Sequence, residues 1–141
     1  MQAQENWSEF VEAHLLVGDV LDGLTVLTKR GDSIYSCGKL KDLDQKFYSQ
    51  FLVIFTTTSE EQESALCQKG FILQTAKDDL EIKYIIYSKS FCSVYAMSRH
   101  NRSGILVCSL PYGILVATYS FPCTSVKAIE IVEKACELLR G

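Results

Sequence analysis

No stretch of this chain approaches the roughly 18 uninterrupted apolar residues that a bilayer-spanning helix needs, so membrane insertion is not expected. Basic charge is not in excess either: 14 Lys and Arg stand against 17 Asp and Glu, for a net charge of −3. Binding to nucleic acid or to an anionic membrane draws on clustered cations, and neither is expected as a general affinity. Histidine is scarce, with His14 and His100 alone, and none of the six cysteines forms a CxxC pair, so no zinc-binding spacing arises. Met1 to Glu12 lacks the charged-then-apolar layout of a signal peptide. A cytoplasmic location follows as the expectation, and the sequons Asn6-Trp7-Ser8 and Asn101-Arg102-Ser103 read as accidental. Catalytic devices are missing too. No Gly-rich phosphate loop, GxSxG elbow or HExxH is present, and a pairing of Cys92 or Cys108 with His100 has no orienting third group in the sequence. The chain is therefore read as a non-enzyme without metal or cofactor.

What remains is a folded composition. Of the 141 residues, 48% are hydrophobic and 22% charged, enough for one domain over residues 1–141 with a continuous core. Cys37, Cys67, Cys92, Cys108, Cys123 and Cys136 could make three disulfides in a secreted protein. With four of the six set among apolar neighbours, they read as small buried hydrophobes. The acidic cluster Glu60, Glu61, Glu63 and the pair Asp78, Asp79 fit a solvated helix face and a turn, since neither has calcium-loop spacing.

The spacing of residues 7, 10, 11, 14 and 15 predicts an N-terminal amphipathic helix ending near Gly18, with Asn6 and Glu9 as a capping box. "GLTVLTK" and "SIYSC" predict a hairpin around Arg30-Gly31-Asp32, a tripeptide that a tight turn explains without an adhesive role. "KDLDQKFYSQFLVIF" places Leu43, Phe47, Phe51 and Ile54 on one helical stripe, and "SEEQESALCQKG" predicts a short surface helix ending in Gly. Five strand-forming runs follow, from "GFILQT" to "ILVATYS". The last two are apolar at nearly every position, so both sheet faces must be covered. "TSVKAIEIVEKACELLRG" predicts a closing helix with Ile129, Val132, Cys136 and Leu139 on one face. The fold class expected is α/β (α+β): a central antiparallel sheet of six to seven strands, the terminal helices on one face and shorter helices on the other.

The stretch "GILVCSLPYGILVATYSFPCTSVKAIEIVEKACELLRG", with "NWSEFV" and "DGLTVLTKRGDSIYSCG" ahead of it, resembles the profilins. They share its strand, tight turn, "LVxxxY"-type strand, Pro and terminal helix, and they too begin with a tryptophan followed three residues later by an aromatic. The resemblance covers the ends; residues 41–80 match in order and length only. It implies an actin-monomer-binding protein that regulates actin polymerisation, cytoskeleton-associated, with proline-rich segments as second partners.

Carried over by position, the polyproline groove is Trp7, Phe10, Tyr35, Leu138 and Leu139. Extended proline-rich ligands lose little ordering entropy on binding and stack on aromatic faces. Here Phe10 stands for the usual tyrosine, Tyr35 for a tryptophan and Leu138 for tyrosine or histidine, so weakened proline recognition is expected. The actin face would comprise Ile86, Met97, Arg99, Thr124, Ile129, Glu130 and Lys134, with Met97 in place of an arginine and Glu130/Lys134 in reversed charge order. Phosphoinositide binding, another implied trait, would fall to Lys29, Arg30, Arg99 and Arg102, four cations equally suited to solvated turns. A second class stays open: a small α/β scaffold, similar to roadblock or longin modules, that binds a protein other than actin through a sheet edge or helix pair.

Overall fold

The structure, a computed structural model, describes residues 3–74, 81–98 and 103–141, with side chains from Trp7 onward. The elements are α1 (Ala3–His14), β1 (Leu21–Thr28), β2 (Ser33–Gly38), α2 (Ser49–Val53), α3 (Glu60–Lys69), β3 (Phe71–Leu73), β4 (Ile82–Lys89), β5 (Ser93–Met97), β6 (Ser103–Leu110), β7 (Gly113–Ser120) and α4 (Ser125–Arg140). Seven strands form one antiparallel sheet in the order β2-β1-β7-β6-β5-β4-β3. Its centre is β6 and β7, the two runs without polar alternation.

Successive strand residues face opposite ways, and both faces of the centre are covered. Leu106, Cys108, Leu115 and Ala117 pack beneath Trp7, Val11 and Leu15 of α1 and Ala128, Val132 and Cys136 of α4. Ile105, Val107, Ile114 and Val116 meet a second layer with Phe51, Ile54, Phe71 and Tyr84. The terminal helices thus share one face and the shorter helical pieces the other, as expected.

Two local expectations are corrected. The first helix begins at Ala3, so Asn6 lies inside it and is not its cap. The stripe from Leu43 to Ile54 is not one helix but 3₁₀ turns at Lys39–Asp42 and Gln45–Phe47 followed by the single turns of α2. Asp44 explains the break: its carboxylate accepts from the Lys46 amide at 3.0 Å, a local side-chain bond that competes with helix propagation. By contrast, α3 has the caps its sequence advertises. Ser59 accepts from the Gln62 amide, and Gly70 closes the helix at φ 73°, the left-handed conformation that favours glycine.

All six cysteines are free; Cys108 and Cys136 are buried and the other four half-buried. Arg30, Gly31 and Asp32 form the β1–β2 turn, where the Gly31 amide donates to Thr28 O at 3.0 Å. His100, Asp78, Asp79, Arg99 and Arg102 lie outside the described residues.

Edge strand β3 is met by a side chain. Gln50 Nε2 donates to Ile72 O at 2.7 Å, and the Ile72 amide donates to Gln50 Oε1 at 2.9 Å. A primary amide here takes both backbone groups that β3 turns away from β4. Gln50→Ala should cost about 1–3 kcal/mol, because two part-buried backbone groups lose their partner; urea unfolding measures it, and an unchanged midpoint would contradict the assignment.

Candidate functional site

Two regions carry the residues singled out in the sequence. The first lies where α4 leaves part of the sheet bare. On β4, Ile82, Tyr84 and Ile86 turn toward the second core layer, and a register irregularity between Ile86 and Ser88 marks a bulge at Tyr87. Ile85 and Tyr87 are left on the α4 side, beside Tyr95 and Met97 of β5. Because α4 packs mainly over β6 and β7, Ile85, Tyr87 and Met97 stay exposed among the described residues. Tyr87 is 49% exposed, Met97 42% and Phe121, just beyond β7, 63%. Together they border a cleft of about 720 Å³ that Thr124 and Ser125, at the start of α4, close at one end.

The cleft floor carries hydroxyl groups, from Ser98, Ser103 and Tyr119. Tyr119, on β7, is buried, and a Cβ on Gly104 of the neighbouring strand would fall within its ring; glycine there lets the phenol lie flat across β6. The Tyr119 hydroxyl is itself buried, with the Ser125 and Tyr87 hydroxyls as its side-chain neighbours. Burial, with Tyr87 nearby, pushes its pKa up to about 12, so it remains a neutral donor. Beside it, Ser103 Oγ donates to Tyr84 Oη at 3.2 Å and lies 3.1 Å from Ser98 Oγ.

Farther along α4, a bonded cluster fixes the helix to the sheet. Tyr95 Oη donates to Glu133, and Arg140 Nη1 lies 3.8 Å from the same carboxylate. Arg140 also donates to Ser109 O at 2.9 Å and to Cys92 O at 3.3 Å. Burial first, then the bond to Glu133, raises the Tyr95 pKa, while contact with Cys136 and burial raise that of Cys108. These groups hold the helix that forms one wall of the cleft.

Of the expected actin-face residues, Met97 and Thr124 are brought to the cleft. Glu130 and Lys134 lie exposed on α4, Ile129 is partly buried against the terminal-helix core, and Arg99 is outside the described residues. Ile86 is corrected: it packs into the opposite layer, and its neighbours Ile85 and Tyr87 face the cleft instead. Ile85, Tyr87, Tyr119, Phe121 and Cys123 also line the cleft and had not been singled out from the sequence. Alternation in "KYIIYS" was the available signal for the first two, with Tyr84 and Ile86 inward and Ile85 and Tyr87 outward.

The second region is the N-terminal aromatic group. Trp7 meets Phe10 edge-on at 6.0 Å between ring centroids and Tyr112, in the β6–β7 turn, at 6.4 Å; Phe10 lies 4.7 Å from His14. Tyr35 and Leu139 pack against the same core cluster as Trp7, whereas Leu138 is 55% exposed. Expected as the floor of a furrow open to water, the indole is in fact only 2% exposed. Its Nε1 is a buried donor without a partner among the described residues. Tyr112, the exposed ring of the group, had not been singled out.

No family model matches the chain, and no curated protein sequence does. Solved structures do. Profilin II of Acanthamoeba castellanii is similar over 94% of each chain, at a TM-score of 0.74 and 17% identity. LokiProfilin1, in its complex with rabbit actin, is similar over 96% of this chain and 95% of its own (TM-score 0.72, 13% identity). Mouse profilin IIa, in complex with a double repeat from the FH1 domain of mDia1, is similar over 95% of this chain and 96% of its own (TM-score 0.69, 9% identity).

Proposed function

We propose that this chain, which has the profilin fold, binds monomeric actin through the cleft face of β4, β5 and the start of α4, and so regulates polymerisation. The observation that carries the proposal is the cleft itself. Ile85, Tyr87, Met97 and Phe121 form a contiguous exposed apolar surface, of the kind that marks protein interaction sites when polar residues rim it. Thr124 and Ser125 provide such a rim. Aromatic and methionine side chains on bare sheet are also the types enriched in the cores of protein interfaces. LokiProfilin1, of the same fold, forms a complex with rabbit actin. No catalytic role is assigned; binding accounts for the surface.

Pyrene-actin polymerisation provides the test. The full chain should slow spontaneous assembly in proportion to its concentration, and an unchanged time course at excess protein would overturn the proposal.

For proline-rich segments the same reading gives a weak site. Phe10 and Tyr112 rest on the indole, so a ligand reaches the orphan Nε1 only in the fraction of molecules where these rings have moved, and apparent affinity falls by that fraction. A ten-proline peptide should therefore bind with a dissociation constant weaker than about 100 μM. Tryptophan fluorescence follows the titration, and submicromolar binding would show that the furrow opens freely. Mouse profilin IIa, whose complex contains an FH1 repeat, is a suitable positive control.

A further inference from the structure

We propose that β2 is a strand-addition site for an extended segment of another protein, uncharged over about six residues and acidic on either side. The two outer strands of the sheet are treated differently. At β3, Gln50 bonds both the amide and the carbonyl of Ile72. At β2, among the described residues, no loop or side chain bonds the backbone of residues 33–37 except Thr25 Oγ1. That hydroxyl comes from the paired strand β1 and donates to Tyr35 O at 3.3 Å. Unpaired N–H and C=O groups along an outer strand are a template for a further strand, and proteins usually guard them with Lys, Pro, an inward charge or a bulge. β2, Ser-Ile-Tyr-Ser-Cys-Gly, has no charge and no proline. It does have a bulge at Ile34, between the pairs Leu27↔Ser33 and Val26↔Tyr35, which leaves residues 35–38 as the regular run.

Charge selects the occupant. Lys29 and Arg30 precede β2 in its turn, and Lys39 and Lys41 follow it; each end sets two cations against one carboxylate, Asp32 or Asp42. Lys29, Arg30 and Lys41 are exposed. Over the middle of the strand the sign changes, for the charge of Glu12 on α1 acts on Tyr35. A ligand with acidic ends and a neutral centre matches this order. A second copy of the chain does not. Antiparallel pairing of β2 with itself would bring Lys29 and Arg30 of one molecule toward Lys39 and Lys41 of the other, and like charges across a strand pair are unfavourable. Proline-rich segments are excluded as well, because proline has no amide to donate to the ladder. The ligand is thus of a different class from the proline-rich partner, and it meets backbone groups where that partner would meet rings.

The experiment uses the full chain, labelled with nitrogen-15, and the blocked peptide Asp-Glu-Val-Thr-Val-Thr-Val-Thr-Glu-Asp. Amide shifts and slowed amide exchange are expected along β2. Two N-methylated forms of the peptide separate strand pairing from simple charge attraction. Successive amides of an extended chain point to opposite edges, so methylating one alternating set should weaken binding at least about tenfold through lost hydrogen bonds. Methylating the other set, which points away from the protein, should change it less than about twofold. The double variant Lys39→Glu, Lys41→Glu should weaken the parent peptide about fivefold. Equal affinities of the two methylated peptides, shifts centred on α4 or the cleft, or no shift at about 1 mM peptide would each overturn the proposal. So would dimerisation of the free chain that protects the β2 amides, since it would assign the strand to a second copy. Neither actin nor a proline-rich segment enters these measurements, so their outcome is separate from that of the actin reading.

Discussion

Aspartate in place of Met97, or of Tyr87, is expected to abolish the effect of this protein on actin assembly while leaving the fold intact. Both side chains are more than two-fifths exposed, and substitutions at such positions usually change stability by no more than about 0.5 kcal/mol. At an interface the balance differs. A carboxylate pressed against apolar partner surface is stripped of water with nothing to pair it, and truncation of central anchors alone commonly costs about 2 kcal/mol or more. The expected loss of actin affinity is therefore at least about 30-fold for each variant. Ile86→Asp is the instructive contrast. Its side chain belongs to the opposite core layer, so that change should lower the melting temperature sharply and report folding and not binding. If Met97→Asp and Tyr87→Asp both retain full activity in the pyrene assay, the cleft is not the actin face.

A second large effect is expected from a single methyl group. Gly104→Ala would place its Cβ inside the ring of Tyr119, and neither the strand pair Gly104↔Tyr119 nor the rigid phenol can yield cheaply. Overpacking of this kind costs about 1–3 kcal/mol, which lowers the melting temperature of a domain this size by roughly 4–10 °C. In a Tyr119→Ala background the same methyl meets no ring. There Gly104→Ala should be neutral or stabilising, because alanine restricts the unfolded chain. Calorimetry of the four proteins closes the cycle, with a coupling above about 1 kcal/mol expected for residues in contact. Additive effects would mean that the ring does not lie over Gly104.

Much of the architecture was legible because its signals are redundant. "GILVATYS" reads as a strand covered on both sides, since it is apolar at nearly every position and Thr118 and Ser120 come only at its end. α4 announces itself through the spacing of Val132, Cys136 and Leu139 and through its Thr124 cap. The middle of the chain was misread for a physical reason. Leu43, Phe47, Phe51 and Ile54 recur at helical spacing, yet tight turns such as Leu43 to Leu40 and Tyr48 to Gln45 repeat every three residues as well. Burial in the second layer holds those turns without a continuous helix. The cleft was only partly visible. Met97 and Thr124 were found by position, but alternation alone gives two faces without saying which one a helix leaves bare, so Ile86 was chosen where Ile85 and Tyr87 face the cleft. Trp7 shows the remaining limit: sequence reveals a large aromatic on an amphipathic helix, not that a tyrosine 105 positions later in the chain covers it.

The pair of bonds from Gln50 to Ile72 bears on how copies of this molecule can misassociate. A sheet of this kind has two rims, here β2 and β3, and a fibre built by strand addition needs both of them free on every subunit. With the β3 rim stoppered by a glutamine, docking through β2 joins two copies rim to rim and then has nowhere to propagate. One side chain thus closes one of the two directions in which copies could add strand to strand.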